Sequence, residues 1–225
     1  MESYCSNPVY KRSARLISTL NVSLQIFLLY RVAATPIDPL WQVAALFAAF
    51  VLTDFVNGLV HMFMDNNDRY DSLFGPLIAN FHMHHKKPMY RINPLHIVYF
   101  NETGSKVWLV AYLVAVAALF QWTAMHPAVA HLLVYFGILS SVAEVSHYLC
   151  HTANSPIVIF LARIGILLGK RHHGKHHMND NSNYAFLNGF TDPLINLIAR
   201  KIYPGYKSTT DLHFASYSGA DSDNR

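Results

Sequence analysis

The stretch AVAHLLVYFGILSSVAEVSHYLC, residues 128–150, decides how the whole chain is read. A run of about 20 apolar residues is what a helix needs to cross a bilayer, and this run is long enough. It carries His131, Glu144 and His147 all the same. Ionisable groups inside a membrane are costly and face an interior site, so this one segment predicts both a membrane span and something polar for it to face.

Three further runs lie upstream. Residues 107–125 form the cleanest one. Residues 40–62 are strongly apolar but carry Asp54 and Asn57. Residues 16–35 hold Asn21, Gln25 and Arg31. A shorter apolar run at 157–168 cannot span and reads as a re-entrant or interfacial segment. No cleavable signal peptide is expected, because no small-residue cleavage site precedes Arg31. The polar tail at 208–225 is expected to fray.

Composition agrees. Of 225 residues, 52% are hydrophobic and only 13% charged, about half the charged share of an average soluble domain. Mean hydropathy is +0.21. A disordered chain is excluded, and a freely soluble enzyme would need more charge to coat its surface. Cys5 and Cys150 make no disulfide framework. The expected fold is therefore an all-α integral membrane protein, a single domain over 1–225 with about four transmembrane helices.

Four spans put both termini on one face, with the loop 63–106 and everything after about 151. All of the 17 Lys and Arg residues except Arg31 then fall on that face, which marks it as cytosolic by the positive-inside rule. The net charge of +4 is thereby explained by flanking head groups, and no nucleic-acid partner is implied.

Histidine is the anomaly, with 14 residues against 13 acids. His61, His82, His84, His85, His96, His147, His151, His172, His173, His176 and His177 come from four chain segments and converge on the same face. His126 and His131 read as structural residues of the far side, and His213 as a solvated tail residue. Convergence from several segments is what a metal centre in a helix bundle requires.

His147 and His151 are four apart and share a helix face, as do His173 and His177, and His172 and His176. Imidazole suits iron, copper and zinc. Neither CxxC nor HExxH occurs, which argues against a thiolate zinc site and a zincin. So many histidines exceed the needs of one ion, and two metals is the natural reading. Asp54, Asn57, His61 and Asp65 form one polar stripe at steps of three, four and four, and Glu144, His147 and His151 form another. Helix–helix hydrogen bonding is the plainer account of such stripes. As partners of a metal site, Asp54, Asp65, Glu144 and His82 would orient imidazoles or ligate directly.

Four segments carry a resemblance: DFVNGLVHMFMDN (54–66), HHKKPMYRINPLH (84–96), SHYLCHT (146–152) and KRHHGKHHMNDNSNYAFLNGFTDPL (170–194). Together they resemble the Kua/CarF-type lipid desaturases, over about residues 40–200. The resemblance implies a di-iron site whose ligands are His61, His84, His85, His96, His147, His151, His173, His176 and His177, with His172 adjacent. Three departures are His82, which has no counterpart, Ile97, where an Asp follows the preceding His in the family, and the NETGSK loop at 101–106, offset from the family's glycine-bearing turn.

It further implies two iron ions as cofactors, O₂ as co-substrate, a membrane phospholipid as substrate, and a vinyl-ether double bond made from a 1-O-alkyl chain. An acyl-lipid desaturase or hydroxylase using the same irons is the alternative, and a non-catalytic membrane metal-binding protein the reading from another class. No flavin or haem motif is present, so electrons would come from a partner such as cytochrome b5 or ferredoxin. Lys86, Lys87, Arg91, Lys170, Arg171 and Lys175 are candidate head-group contacts. A bacterial inner membrane and the endoplasmic reticulum both fit.

Overall fold

The computed structural model describes residues 6–87, 92–101, 107–122, 124–179 and 181–203. Arg91, His213 and the tail 208–225 lie outside them. The described residues form nine helices and no strand: α1 Pro8–Ala33, α2 Pro39–Asp65, α3 Gly75–Lys86, α4 Leu95–Asn101, α5 Val107–Trp122, α6 Pro127–Thr152, α7 Pro156–Arg163, α8 Lys170–Met178 and α9 Asp192–Ile202.

Helix starts follow local chemistry. Proline is tolerated in the first turn because its missing N–H would have no intrahelical partner there. Pro8, Pro39, Pro127 and Pro156 each open a helix. The Asn7 side chain accepts hydrogen bonds from Val9 and Tyr10 N–H and caps α1, and Asp38 Oδ1 accepts from Leu40 N–H at the start of α2. His126 Nδ1 does the same for Ala128 N–H at the start of α6. That bond, with His131 Nδ1 on the Pro127 carbonyl at 2.9 Å, gives His126 and His131 structural partners.

Helices α1, α2 and α6 are long and apolar enough to cross a membrane. The fourth expected span, 107–125, is shorter. Helix α5 stops at Trp122 and extends about 24 Å at 1.5 Å per residue. The expected interfacial run is a helix only as far as Arg163, after which the chain turns through Gly165 at φ +76°. Large apolar side chains stay exposed along α1 and α2, Trp41, Val43 and Phe47 among them, as lipid-facing surfaces do.

Two compact units are seen, one built from residues 54–92 with the chain from 146 onward, the other from residues 2–53 and 93–145. In the second, Leu28 and Val32 of α1 pack with Leu109, Leu113 and Val116 of α5 and Ala130 and Val134 of α6. A Cβ at Gly137 would come within 2.7 Å of Leu113 Cδ2, so glycine there lets α5 and α6 approach closely. Gln25 ties this unit together, giving hydrogen bonds to Asn21 Oδ1 and Ser141 Oγ and accepting one from the Tyr99 hydroxyl.

In the first unit, Met62, Tyr184, Ala185, Ile195 and Ala199 form an apolar core. A Cβ at Gly58 would meet Ile195 Cδ1 and sit 3.1 Å from Ala185 Cα. The segment 181–191 thus runs directly against α2.

Candidate metal centre

Two groups of side chains in the first unit could each hold a metal ion. The first contains His61 and Asp65 of α2, His85 of α3 and His176 of α8. Residues four apart share a helix face, so His61 and Asp65 point the same way. Asp65 Oδ2 lies 3.0 Å from His85 Nε2 and 3.3 Å from both His61 Nε2 and His176 Nε2. His176 Nε2 and His85 Nε2 are 3.1 Å apart.

The second group contains His84 of α3, His151 of α6, and His173 and His177 of α8. His173 Nε2 is 3.1 Å from His177 Nε2 and 2.9 Å from His147 Nε2. His147 therefore borders this group, with its ring centroid 4.5 Å from that of His84. Helical rotation explains the sorting. Successive residues differ by 100°, so the adjacent His84 and His85 of α3 serve one group each. On α8, His173 and His177 share a face while His176 faces the other group.

These contacts fit a metal better than hydrogen bonds. One imidazole nitrogen carries at most one proton, yet His173 Nε2 faces two other Nε2 atoms within 3.1 Å. An imidazole–metal bond of about 2.1 Å sets neighbouring ligand atoms about 3.0 Å apart in an octahedron and about 3.4 Å apart in a tetrahedron. The separations around Asp65 Oδ2 lie in that window. His151 Nε2 is buried with no hydrogen-bond partner among the described residues. Ring orientation is supplied from behind: the Tyr184 carbonyl accepts from His61 Nδ1 at 2.7 Å and the Ser182 carbonyl from His176 Nδ1 at 2.7 Å. With the proton on Nδ1, each Nε2 presents the lone pair that ligates a cation.

Electrostatics point the same way. Burial, together with the neighbouring imidazoles, pushes His84 and His173 well below the ordinary histidine range, and His177 strongly down as well. These rings are neutral at pH 7, the form that ligates. The groups differ in charge: the first carries a carboxylate, the second only imidazoles.

Other candidate residues have different surroundings. His172 is half exposed, and its Nε2 meets Asp192 Oδ2 at 2.6 Å. It belongs to neither group, because the second oxygen of Asp192 is held by Ala185 N–H and fixes the carboxylate toward His172. His96 is exposed on α4 in the other unit, beside a cavity lined by Arg15, Ser18 and Phe100, and is in neither group. Glu144 is buried in that same unit and also in neither.

Asp54 faces no histidine group. Its oxygens accept from Asn188, Gly189 and Thr191 N–H and from the Thr191 hydroxyl at 2.7–3.1 Å. It lies seven residues before His61, about 10 Å away along the helix, and anchors the 188–191 loop. His82 lies behind the first group, its Nε2 3.3 Å from the Asp65 carbonyl and its Nδ1 2.7 Å from the Tyr70 hydroxyl. Lys86, Lys87, Lys170, Arg171 and Lys175 are exposed.

The sequence reading missed Asp192, Ser146 and the carbonyls of Ser182 and Tyr184. Ser146 Oγ donates to the Leu187 carbonyl at 2.6 Å and accepts from Leu168 N–H, joining two loops. The Asn- and Gly-rich segment 179–189 carried the signal. Asn181 and Asn183 sit at positive φ, where Asn is among the few tolerated residues, and they shape the loop that presents both carbonyls.

Comparison with curated proteins and with solved structures returned no match. The lipid desaturase domain family matches residues 50–201, about two thirds of the chain. That range contains every residue of both groups and excludes all of α1. With histidine clusters that could hold a metal, long apolar helices that fit a multi-pass membrane protein, and this match, the chain belongs to the Kua/CarF-type lipid desaturase family, whose members are oxidoreductases acting on lipids.

Proposed function

We propose that the chain is an O₂-dependent di-iron desaturase that converts a 1-O-alkyl phospholipid into its vinyl ether, the double bond of a plasmalogen. The observation that carries the reading is the pair of histidine-rich groups sharing α3 and α8, one of them with a carboxylate, inside a lipid desaturase domain. His61, Asp65, His85 and His176 are assigned to one ion. His84, His151, His173 and His177 are assigned to the other, with His147 beside them. Iron bound there would supply the redox chemistry that acid–base groups cannot, since an alkyl C–H offers no acidic hydrogen.

The balance is R–O–CH₂–CH₂–R′ + O₂ + 2 e⁻ + 2 H⁺ → R–O–CH=CH–R′ + 2 H₂O. Two C–H bonds break, one C=C bond forms and O₂ is reduced to water. The protein's part is positional. The Tyr184 and Ser182 carbonyls hold two imidazoles in register. Phe81 and Phe186 pack against His61, at ring separations of 4.8 and 5.6 Å, and exclude water from that side. Neutral imidazoles leave Asp65 as the one anionic ligand.

Two electrons per turnover come from a small one-electron carrier such as cytochrome b5 or ferredoxin. The exposed Lys86, Lys87, Lys170, Arg171 and Lys175 suit an acidic carrier or anionic head groups. The lysine- and arginine-rich face is assigned to the cytosol.

A comparative lipidome tests the reading. The chain and a His173→Ala/His177→Ala variant are expressed in a host with alkyl-ether phospholipids but no plasmalogens. The expected product is acid-labile, two mass units lighter than its precursor, and absent with the variant. A new acyl double bond or hydroxyl with unchanged ether lipids would replace the substrate and keep the site. No lipid change, from inserted and iron-loaded protein supplied with a reductase and carrier, would overturn the desaturase reading.

A further inference from the structure

Behind the metal-holding helices, the first unit contains an apolar cavity of about 330 Å³, within the range of small-molecule sites. Cys150 of α6, Val158 and Ala162 of α7, and Leu168 line it, and Cys150 and Leu168 are buried. Three cations complete the lining: Arg163 at the end of α7, and Lys170 and Arg171 at the start of α8. All three are exposed, and no acid is among the lining residues. Among the described residues no carboxylate pairs with any of them. Lys170 Nζ donates to Asn154 Oδ1 at 2.6 Å, which fixes the ammonium and leaves two of its N–H donors for another acceptor.

Helix α7 adds an independent observation. It is short, and Ile157 is 71% and Phe160 58% exposed. Ile164 and Ile166 beyond it are exposed as well. An amphipathic segment with bare apolar side chains and a terminal arginine lies at a membrane surface, its cation level with the phosphates. The ligand this chemistry selects has an apolar chain and an anionic head. A free anion would leave the apolar lining without a purpose, and an apolar peptide would leave three cations unmatched.

We propose that this cavity binds a membrane glycerophospholipid, with one hydrocarbon chain beside Cys150 and the phosphate held by Arg163, Lys170 and Arg171. The site goes beyond the desaturation reading and does not depend on it, since any phospholipid bilayer supplies the ligand. Leu149 and Cys150 directly precede His151, and Arg171 lies two residues before His173. A seated lipid therefore touches two of the helices that carry the histidines.

The test uses the full chain in phosphatidylcholine nanodiscs. A trace phosphatidylethanolamine with a diazirine midway along one chain is photolysed, and labelled peptides are mapped. A diacylglycerol with the same diazirine chain is run in parallel. Labelling concentrated within residues 149–171 by the phospholipid, and much weaker with the diacylglycerol, is expected. Both arms use the unaltered protein, so neither depends on a variant folding.

Arg163→Gln/Arg171→Gln removes two guanidinium donors and is expected to lower that labelling at least about tenfold, the factor that about 1.4 kcal/mol of lost binding gives. Ala162→Trp is expected to abolish it with metal content unchanged. Equal labelling by the two probes, displacement by millimolar inorganic phosphate, labelling elsewhere only, or unchanged labelling in both variants would each overturn the proposal. The readout is crosslinking, so its failure leaves the lipidome result standing, and the reverse.

Discussion

At the residue scale, the metal-holding groups divide look-alike side chains by what faces them. His172 and His176 sit at the same helical spacing, yet one meets Asp192 and the other Asp65. His176→Ala is therefore expected to lose one ion, while His172→Ala keeps both; elemental analysis of purified protein distinguishes them. Asp65→Asn keeps the volume and removes the only negative charge of its group. Metal affinity there is expected to fall by at least about 10–100-fold, the range for disturbing even an outer partner of a metal ligand, as competition with a chelator would read. Acid sensitivity follows from burial. His84, His173 and His177 take protons near pH 6.5 when unfolded and resist them when folded. The unfolded chain then binds more protons below that pH. Metal-free protein is expected to lose stability as pH falls below about 6.5, by up to about 1.4 kcal/mol per pH unit for each such ring. Melting curves at pH 7.5 and 5.5 check the sign, and greater stability at the lower pH would contradict it.

At the element scale, α2 is the clearest case of what periodicity reveals and what it hides. The stripe Asp54, Asn57, His61, Asp65 was legible in the sequence, and all four are buried. Its partition was not, because Asp54 binds the 188–191 loop and Asp65 faces the histidines. Asn188 for Asp54 and His176 for Asp65 come from more than 100 residues away, where no spacing rule reaches. Asp54→Ala breaks four hydrogen bonds to a buried carboxylate and is expected to cost about 3 kcal/mol. Its melting temperature should fall while properly folded protein retains its metal. Gly58→Ala places a Cβ against Ala185 and Ile195 and is expected to cost about 1–3 kcal/mol through overpacking. It should also weaken metal binding, because Ala185 adjoins the Tyr184 carbonyl that orients His61. Measuring stability and chelator competition together separates the two substitutions.

At the scale of the whole molecule, orientation is the property that the charge distribution predicts. Asp68, in the loop after α2, and Ala124, between α5 and α6, are both exposed. With the lysine- and arginine-rich face in the cytosol, Ala124→Cys is expected to react with a membrane-impermeant maleimide on intact cells. Asp68→Cys should react only after permeabilisation. The opposite pattern would invert the topology. Over its described residues, helix α5 extends about 24 Å, short of a 30 Å apolar layer crossed upright.

Composition and periodicity by themselves determined the membrane class, the helical architecture and the histidine segments. Each of those is local: burial in lipid demands apolar runs, and ligation demands imidazoles repeated on one helix face. Which histidine joins which group, that His96 and Glu144 stand in neither, and that Asp54 holds a loop while Asp65 faces the rings, only the tertiary structure decided. Those assignments depend on ångström-scale distances between segments far apart in the chain. They depend also on backbone carbonyls at Ser182 and Tyr184, which every residue has and which sequence therefore cannot distinguish.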